Sequence, residues 1–361
     1  MQPVAVRILH PAPAPGAGPL GHALATARLE NAERLAGLFR DGHTDVRIDA
    51  DVRIDTGLPD GLPFGARLRG LIGELPRGAG LVVLGSGSIP LAMRADTKAL
   101  IEAAASGLRR ALTNNVYSGD VIAIGEAANL TDVPDLPTDN ALPRWLRDSA
   151  GYEVANLARP RLAMDLDSPM DSMLVASALT GRLEAAVGVD AGHAIDRMEL
   201  IRRVAADPHR QLLVAGRTSA AMLRWLEQGT ASRTRALVEE RGLRAIGLAE
   251  GQAPPRAVLG MLLDDRGPEA LGDIVAELGG AALIDSRVLL AHRLGADESS
   301  WPSAEDRFAS DLLLVEQVDD PWLRALAASA RGATIPVLLG GHSLVGPGLR
   351  LLLGERRGAR G

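Results

Sequence analysis

Two aspartates stand two positions apart in the segment MDLDSPMD, residues 164–171. Alternate residues of an extended strand point to the same side, so Asp165 and Asp167 can converge on one point. Carboxylate oxygens are the ligands that hard cations such as Mg²⁺ prefer, and a cation held there neutralises charge on phosphate oxygens. The pair is therefore our candidate magnesium site, with Asp120 as the candidate third ligand.

The same segment also has the residues that begin a helix. Ser168 can cap the first turn, Pro169 fits that turn without losing a hydrogen bond, and Asp171 is favoured near the positive end of the helix dipole. Capping alone would account for these residue types. The sequence leaves both interpretations open.

A loop of small residues forms a second candidate site, in LVVLGSGSIPLAMRAD, residues 81–96. The N–H groups of such a loop can hold a phosphate without any lysine, although tight packing is the commoner reason for small residues. Two asparagines in TNNVYSGD, residues 113–120, could hydrogen-bond a base, but asparagines are also frequent in turns. The predicted nucleotide-binding residues are Gly85, Ser86, Gly87, Ser88, Asn114 and Asn115.

Apolar runs that alternate with helical patterns indicate the elements that would position these residues. In the first half, we predict strands at VAVRILH, DVRIDADVRIDT, GLVVLG, DVIAIG and RLAMDLD, with helices between them and a last helix from Pro169. The alternation indicates an α/β fold with mainly parallel sheets in two tandem domains. We place the domains at residues 1–180 and 190–361.

In the second half, strands are predicted at QLLVAG, TRALVEE, AVLGMLLDD, AALID and IPVLLGG. Ligands of parallel α/β sheets bind beyond the carboxyl ends of the strands. Arg217 and Thr218 follow the first of these strands and would suit an anion. Asp264 and Asp265 could hold a metal or act as acid and base, and Asp285 ends the fourth strand. Turns also place such residues at strand ends, so each candidate has a structural alternative.

The run LLGGHSLVG, residues 338–346, is close to the motif of a serine hydrolase. A nucleophile elbow needs Gly-x-Ser-x-Gly and a histidine later in the chain. Here the spacing is Gly341-x-Ser343-x-x-Gly346, and no histidine follows His342. We therefore exclude a serine hydrolase and interpret the run as a glycine turn after a core strand.

The first half resembles nucleotidyltransferases of the GT-A type, which are nucleotide-diphospho-sugar transferase-like, and in particular the MobA-like group that includes the phospholactate guanylyltransferases. MDLDSPMD is similar to the D-x-D-T-P-x-D segment of that family, with Ser168 in place of its threonine. Residues 82–107 resemble the family's strand, D-x-P-L turn and helix, and residues 19–42 fall at its first helix. The likeness covers about residues 1–180, and the second half resembles no family known to us.

The chain departs from that family at two places. The family grips a triphosphate with a glycine-rich loop that carries arginine and lysine, whereas HPAPAPGAGPLGHA, residues 10–23, has glycines but neither. Aligning Pro90 with the family's turn puts Ser88 where the family has a metal-binding aspartate. A hydroxyl supplies neither the charge nor the affinity of a carboxylate for Mg²⁺. The resemblance implies Mg²⁺ at Asp165 and Asp167 and a nucleotide at the small-residue loop.

Composition excludes several other classes of protein. The chain of 361 residues has no cysteine, which excludes thiolate catalysis, and its one lysine, Lys98, belongs to no phosphate-binding Gly-Lys-Ser/Thr motif. A net charge of −6 and an aromatic content of 2% argue against nucleic-acid binding. The sequence shows no signal peptide and no apolar run near the length of a membrane span. We expect a cytoplasmic protein that binds neither nucleic acid nor membranes.

These observations lead to three functional hypotheses. The first is a nucleotidyltransferase-like protein whose partners are a nucleotide and a small phosphorylated metabolite. The second is a degenerate transferase that binds a nucleotide or sugar nucleotide without turning it over. The third places catalysis in the second domain, around Asp264, Asp265 and Asp285.

Overall fold

The computed structural model describes residues 2–46, 48–57, 61–183, 189–240 and 255–354. Strands and helices alternate along these residues, which confirms the predicted α/β class. The chain divides into two compact units: Met1–Pro15 with Ala25–Leu166, and Gly16–Leu24 with Asp167–Gly361. The domain bounds drawn from the sequence stay a prediction. Within the described ranges, no helix is both long and apolar enough to cross a lipid bilayer.

The first unit contains a six-stranded sheet in the order β2-β1-β3-β5-β4-β6. Its strands are β1 Val4–Pro11, β2 Ala50–Gly57, β3 Gly80–Gly85, β4 Arg110–Thr113, β5 Val121–Ile124 and β6 Glu153–Asn156. β5 runs antiparallel to both neighbours, whereas the other five strands all run in one direction, so this sheet is mixed but mainly parallel, as predicted. Residues 114–120 alone join β4 to β5, whereas a parallel crossover needs about a dozen residues or more. The short connection therefore forces the reversal.

Helices cover both faces of this sheet. Alternate residues of β1 enter two separate cores, one of which holds Val6 and Ile8 with Phe39, and the other Ala5 with Leu68. A strand that is buried on both faces shows a continuous apolar run, which is why VAVRILH predicts β1 correctly. The helices that begin before Leu166 are α1 Pro19–Val46, α2 Phe64–Gly73, α3 Arg94–Ala104 and α4 Leu142–Asp148.

Two strands predicted in the first half are wrong in whole or in part. In the repeat DVRIDADVRIDT, it is the second copy that forms strand β2. Its residues 50–57 pair with β1 along the whole length of β1. RLAMDLD is not a strand: residues 160–163 form a 3₁₀ helix, and Asp165 makes an isolated antiparallel bridge with Ser88. Asp165 and Asp167 therefore do not share the strand face that their spacing predicts.

The second unit contains a four-stranded sheet, in the order β10-β9-β7-β8, whose strands are all parallel as predicted. Its strands are β7 Gln211–Gly216, β8 Arg233–Val238, β9 Ala281–Asp285 and β10 Val337–Gly340. The helices are α5 Pro169–Thr180, α6 Gly192–Ala205, α7 Ala220–Gly229, α8 Val258–Arg266, α9 Leu271–Leu278, α10 Ser286–Leu294, α11 Ala304–Asp311, α12 Pro321–Gly332, α13 His342–Val345 and α14 Pro347–Leu353.

AVLGMLLDD forms the helix α8, so the strand predicted there is wrong. The buried residues Leu259 and Leu263 are four positions apart, which is helical spacing, whereas Met261 is exposed. Exposed apolar side chains of this kind make the run look continuous in the sequence. Asp264 and Asp265 therefore lie on a helix and not at the carboxyl end of a strand.

A buried carboxylate stabilises the start of α3. Asp96 is fully buried and accepts a hydrogen bond from the backbone N–H of Met93 at 2.7 Å. Arg159 also donates to it, and Arg161 donates through two nitrogens, at 2.7 and 3.1 Å. Removing one partner of a buried ion pair leaves a charge without compensation, so this contact should matter for stability.

We expect Asp96→Ala to lower the free energy of unfolding by about 3 kcal/mol, because two arginines and an N–H group lose their acceptor. Asp135→Ala is the matched control. It also removes an arginine-bound aspartate, but its pair with Arg69 is exposed, and exposed pairs contribute less than about 1 kcal/mol. Urea unfolding followed by circular dichroism measures both variants. Equal losses would contradict a structural role for Asp96.

Candidate functional site

The predicted phosphate loop follows β3 and is held by hydrogen bonds of its own backbone. The N–H of Ser86 donates to the carbonyl of Leu9 at 2.8 Å, and that of Ser88 donates to the carbonyl of Gly85 at 3.1 Å. The side-chain amide of Asn31 donates to the carbonyls of Ser86 and Ser88. Two N–H groups that the prediction assigns to a phosphate are thus used within the protein, and nucleotide binding at this loop stays a prediction.

The two asparagines predicted to bind a base stabilise the turn between β4 and β5. The amide nitrogen of Asn114 donates to Asp120 Oδ2 at 2.7 Å and to the carbonyl of Leu162 at 2.8 Å. Its amide oxygen accepts from the N–H of Asp120 at 3.0 Å, and Asn115 accepts from the N–H of Tyr117 at 3.0 Å. Both side chains therefore have the turn-forming role that was the alternative interpretation.

The structure describes all three aspartates that are predicted to bind magnesium. Asp165 pairs with Ser88 through its backbone, Asp120 binds Asn114, and Asp167 belongs to the second unit. Nowhere in the described part of the chain are three His, Asp or Glu side chains grouped so that they could hold a metal ion. Mg²⁺ binding by Asp165, Asp167 and Asp120 stays a prediction.

Glu305 binds the start of α1, which follows the glycine-rich stretch. Its carboxylate accepts from the N–H of Leu20 at 2.8 Å and from that of Gly21 at 3.0 Å. A Cβ atom at Gly18 would lie 2.4 Å from Glu305 Cδ, so a larger residue there would displace this carboxylate from the two N–H groups. N–H groups at a helix start are suited to an anion, and here a carboxylate of the protein itself uses them.

An apolar cavity lies within the first unit, where β1 and β3 end. It contains about 520 Å³ of space, including open solvent at its mouth. The residues around it include Leu9, Pro11, Phe64, Gly85, Asp120 and Asp139. The two carboxylates give a mostly apolar cavity a pair of hydrogen-bond acceptors.

The second unit has a pocket of about 650 Å³, again including open solvent, at the carboxyl ends of β7, β9 and β10. The residues that follow these strands contribute Arg217, Arg287 and Ser343. Helix α11 contributes Arg307, and the start of α5 contributes Asp171. Parallel α/β sheets bind their ligands at this edge.

Buried aspartates hold two of the pocket arginines. Arg217 donates to Asp285 through Nε at 2.6 Å and Nη2 at 3.0 Å, and Arg287 donates to Asp311 through Nη1 at 2.7 Å and Nη2 at 2.6 Å. The side chains of both aspartates are fully buried. Burial raises the pKa of Asp311, although Arg287 opposes the shift. Two-point pairing fixes the plane of each guanidinium group.

Arg307 is held less completely than the other two arginines. Its Nη1 lies 3.3 Å from Glu298, which is half exposed, and its buried Nε has no hydrogen-bond partner among the residues that the structure describes. Burial lowers the pKa of Arg307, and the nearby positive charge of Arg287 lowers it further. Two neighbouring guanidinium groups with an unused donor favour a bound anion.

Two other buried polar atoms of the pocket have no hydrogen-bond partner within the described ranges, namely Asp171 Oδ1 and Ser343 Oγ. Asp171 Oδ2, by contrast, accepts from the hydroxyl of Ser168 at 2.9 Å and from the N–H of Asp167 at 3.1 Å. Burial raises the pKa of Asp171 to about 7, and the carboxylate of Asp167 adds to this shift. Asp171 therefore changes its protonation state near neutral pH.

Of the residues predicted in the second half, the structure brings Arg217 and Asp285 together. Thr218 is buried beside Arg217 in the chain but does not line the pocket. Asp264 lies 2.9 Å from His292 Nε2, and Asp265 is exposed on the same helix. His292 Nδ1 accepts from the N–H of Ala257, so Nε2 carries the hydrogen donated to Asp264. This arrangement links α8 to α10 and lies outside the pocket.

Arg287 and Arg307 were not among the predicted site residues, and Ser343 was interpreted as part of a turn. Arg287 stands two residues after Asp285, so the rule that ligands bind at strand ends could have found it. Arg307 comes from α11, which that rule does not reach. The sequence places Asp171 in the first turn of a helix that Ser168 caps. In the structure its N–H donates to the Ser168 hydroxyl, as this capping requires.

The chain matches no family model and no curated protein. The resemblance of residues 1–180 to the MobA-like nucleotidyltransferases therefore stays a prediction that depends on the motifs quoted above. Any functional conclusion must come from the geometry of the two units.

A glycine is required where Arg217 meets Asp285. Gly216 has a φ of +125°, and a Cβ atom there would lie 2.3 Å from Asp285 Cβ. We expect Gly216→Ala to lower the free energy of unfolding by about 2–4 kcal/mol, because backbone strain and overlap add. Gly332→Ala is the control, since its Cβ would have no neighbour within 4 Å. If thermal unfolding showed equal stability for the two variants, the close packing at Asp285 would be refuted.

Proposed function

We propose that the protein binds a small phosphorylated metabolite in the pocket of the second unit. One observation carries this proposal: Arg217, Arg287 and Arg307 line the same pocket at the carboxyl ends of parallel strands. A small phosphorylated metabolite is also the partner that the sequence leads us to expect. One of the three functional hypotheses places the function in the second half of the chain.

The way the arginines are held supports binding of an anion. The planar fork of a guanidinium group matches two oxygens of a phosphate at once. Asp285 and Asp311 each bind one edge of a guanidinium group and so orient its remaining N–H groups before any ligand binds, and little side-chain entropy is lost on binding. Arg307 adds a buried Nε donor without a partner among the described residues.

A phosphoryl group fits this set of donors better than a carboxylate. It offers three terminal oxygens, which allows a contact with each arginine, whereas a carboxylate offers two. At neutral pH a phosphate ester also carries roughly −1.5 to −2 charges. That charge offsets the mutual repulsion of Arg287 and Arg307.

The cavity of the first unit favours a second function, the binding of a nucleotide. Apolar walls that include Phe64 suit a base, and the carboxylates of Asp120 and Asp139 can accept hydrogen bonds from its amino groups. Nucleotidyl transfer would be the fuller form of this function. Binding of a nucleotide or sugar nucleotide without turnover is the alternative.

Isothermal titration with inorganic phosphate tests the first proposal. We expect binding that Arg307→Gln weakens at least about tenfold, because a charge-assisted contact is lost without exposing a buried aspartate. Arg331→Gln is the matched control, since Arg331 also pairs with an exposed glutamate, Glu316, but does not line the pocket. Absence of binding to the unmodified protein, or equal affinities of the two variants, would contradict the proposal.

A second control separates this pocket from the carboxylates predicted from the sequence. The double variant Asp264→Asn, Asp265→Asn should bind phosphate as the unmodified protein does, because neither residue lines the pocket. A large loss of affinity in that variant would place the phosphate site at α8.

Titration with ATP, CTP, GTP and UTP, with Mg²⁺ and with a chelator, tests the second function. We expect at least one nucleotide to bind, and Phe64→Leu to weaken it about tenfold through loss of base stacking. Binding that persists with the chelator favours binding without turnover, whereas pyrophosphate release favours the transferase. If none of the four nucleotides binds, the nucleotide function is excluded.

A further inference from the structure

The pocket of the second unit offers more than donors for an anion. Asp171 and Ser343 are 2% and 1% exposed, and Asp171 Oδ1 and Ser343 Oγ have no hydrogen-bond partner in the described part of the chain. A buried polar group left unpaired costs about 1–3 kcal/mol. Two such atoms in one pocket therefore call for a ligand that pairs with them.

The hydrogen bonds of Asp171 determine which of its oxygens a ligand can use. Oδ2 already accepts from Ser168 and from the N–H of Asp167, so a proton on this carboxyl group resides on Oδ1. The charges of Asp167 and Asp311 favour the neutral form, and the charge of Arg287 favours the ionised form. An unpaired carboxyl oxygen such as Oδ1 accepts a hydrogen bond when the group is ionised and can donate one when it is protonated.

A ligand group that meets Oδ1 must therefore be able both to donate and to accept. A hydroxyl group has this property, whereas an ammonium group can only donate, and burying its charge near three arginines is costly. A second anionic group would be repelled by Asp167 and by ionised Asp171. A hydroxyl donates one hydrogen and accepts two, so it can pair with Asp171 and Ser343 together.

We propose that the ligand is a hydroxylated phosphate ester, whose hydroxyl group pairs with Asp171 Oδ1 and Ser343 Oγ while its phosphoryl group binds the arginines. This inference depends on the proposed binding of a phosphorylated metabolite and narrows that class to the phosphates of polyols. Asp171 and Ser343 then determine specificity, whereas Arg217, Arg287 and Arg307 supply affinity that all phosphates share.

Two phosphate esters with the same carbon skeleton test this inference by isothermal titration. Glycerol 3-phosphate carries hydroxyl groups, and propyl phosphate carries none. We expect the unmodified protein to bind glycerol 3-phosphate at least about tenfold more tightly, because propyl phosphate leaves the two buried atoms unpaired. We expect Ser343→Ala to reduce this preference to about threefold or less, because the ligand hydroxyl loses one of its two partners.

The variants are chosen to keep the fold. In Asp171→Asn, the side-chain amide keeps an oxygen that can accept from Ser168, so the start of α5 is retained, and the new NH₂ group can still donate to the ligand hydroxyl, so this variant should keep a preference for glycerol 3-phosphate. Ser232→Ala is the matched control for Ser343→Ala, since Ser232 Oγ is also buried without a partner among the described residues but lies outside the pocket. Ser232→Ala should keep the full preference.

The outcomes separate this inference from the proposed function. If inorganic phosphate binds but the unmodified protein shows no preference for glycerol 3-phosphate, the inference is wrong and the phosphate site stands. A preference that survives Ser343→Ala at full size also overturns the inference. If neither ester nor inorganic phosphate binds, the proposed function fails and the inference fails with it.

Discussion

Two buried ion pairs, Arg217 with Asp285 and Arg287 with Asp311, determine the shape of the pocket in the second unit. Both aspartate side chains are fully buried, and only near-ideal two-point pairing offsets the free energy lost when a carboxylate leaves water. Well-packed apolar residues of the same size are often as stabilising as such a pair. The pairs are therefore better explained by the two guanidinium groups that they position at the carboxyl edge of the parallel sheet.

Asp171 is a second buried acidic group that ligand binding explains better than stability does. Its pKa is raised by burial from 3.8 to about 7, so between these values the folded protein holds a proton that the unfolded chain has released. This contribution to stability is full below the lower value and is lost as the pH rises through the upper one. A carboxyl group kept at this cost, in a pocket and with one oxygen unpaired among the described residues, is typical of a binding site.

Sequence patterns predict those parts of this molecule that depend on local or repeating features. β1, β7 and β9 are buried on both faces and show continuous apolar runs, and α5 begins where Ser168 caps it. Prediction fails where tertiary contacts decide, as at α8, whose exposed Met261 extends an apparent strand. The pocket was harder to predict than the fold, because Arg307 and Asp171 are far from the strand ends in the sequence and meet Arg217 only through folding.

A crystal structure of the protein grown with tungstate, a heavy-atom analogue of phosphate, tests the central claim most directly. We expect an anomalous peak for tungsten in this pocket, with tungstate oxygens within hydrogen-bond distance of Arg217, Arg287 and Arg307 and the Nε of Arg307 among their donors. A structure in which tungstate binds only elsewhere, or in which these three arginines contact no anion at saturating tungstate, would contradict the assignment of this pocket to a phosphorylated ligand.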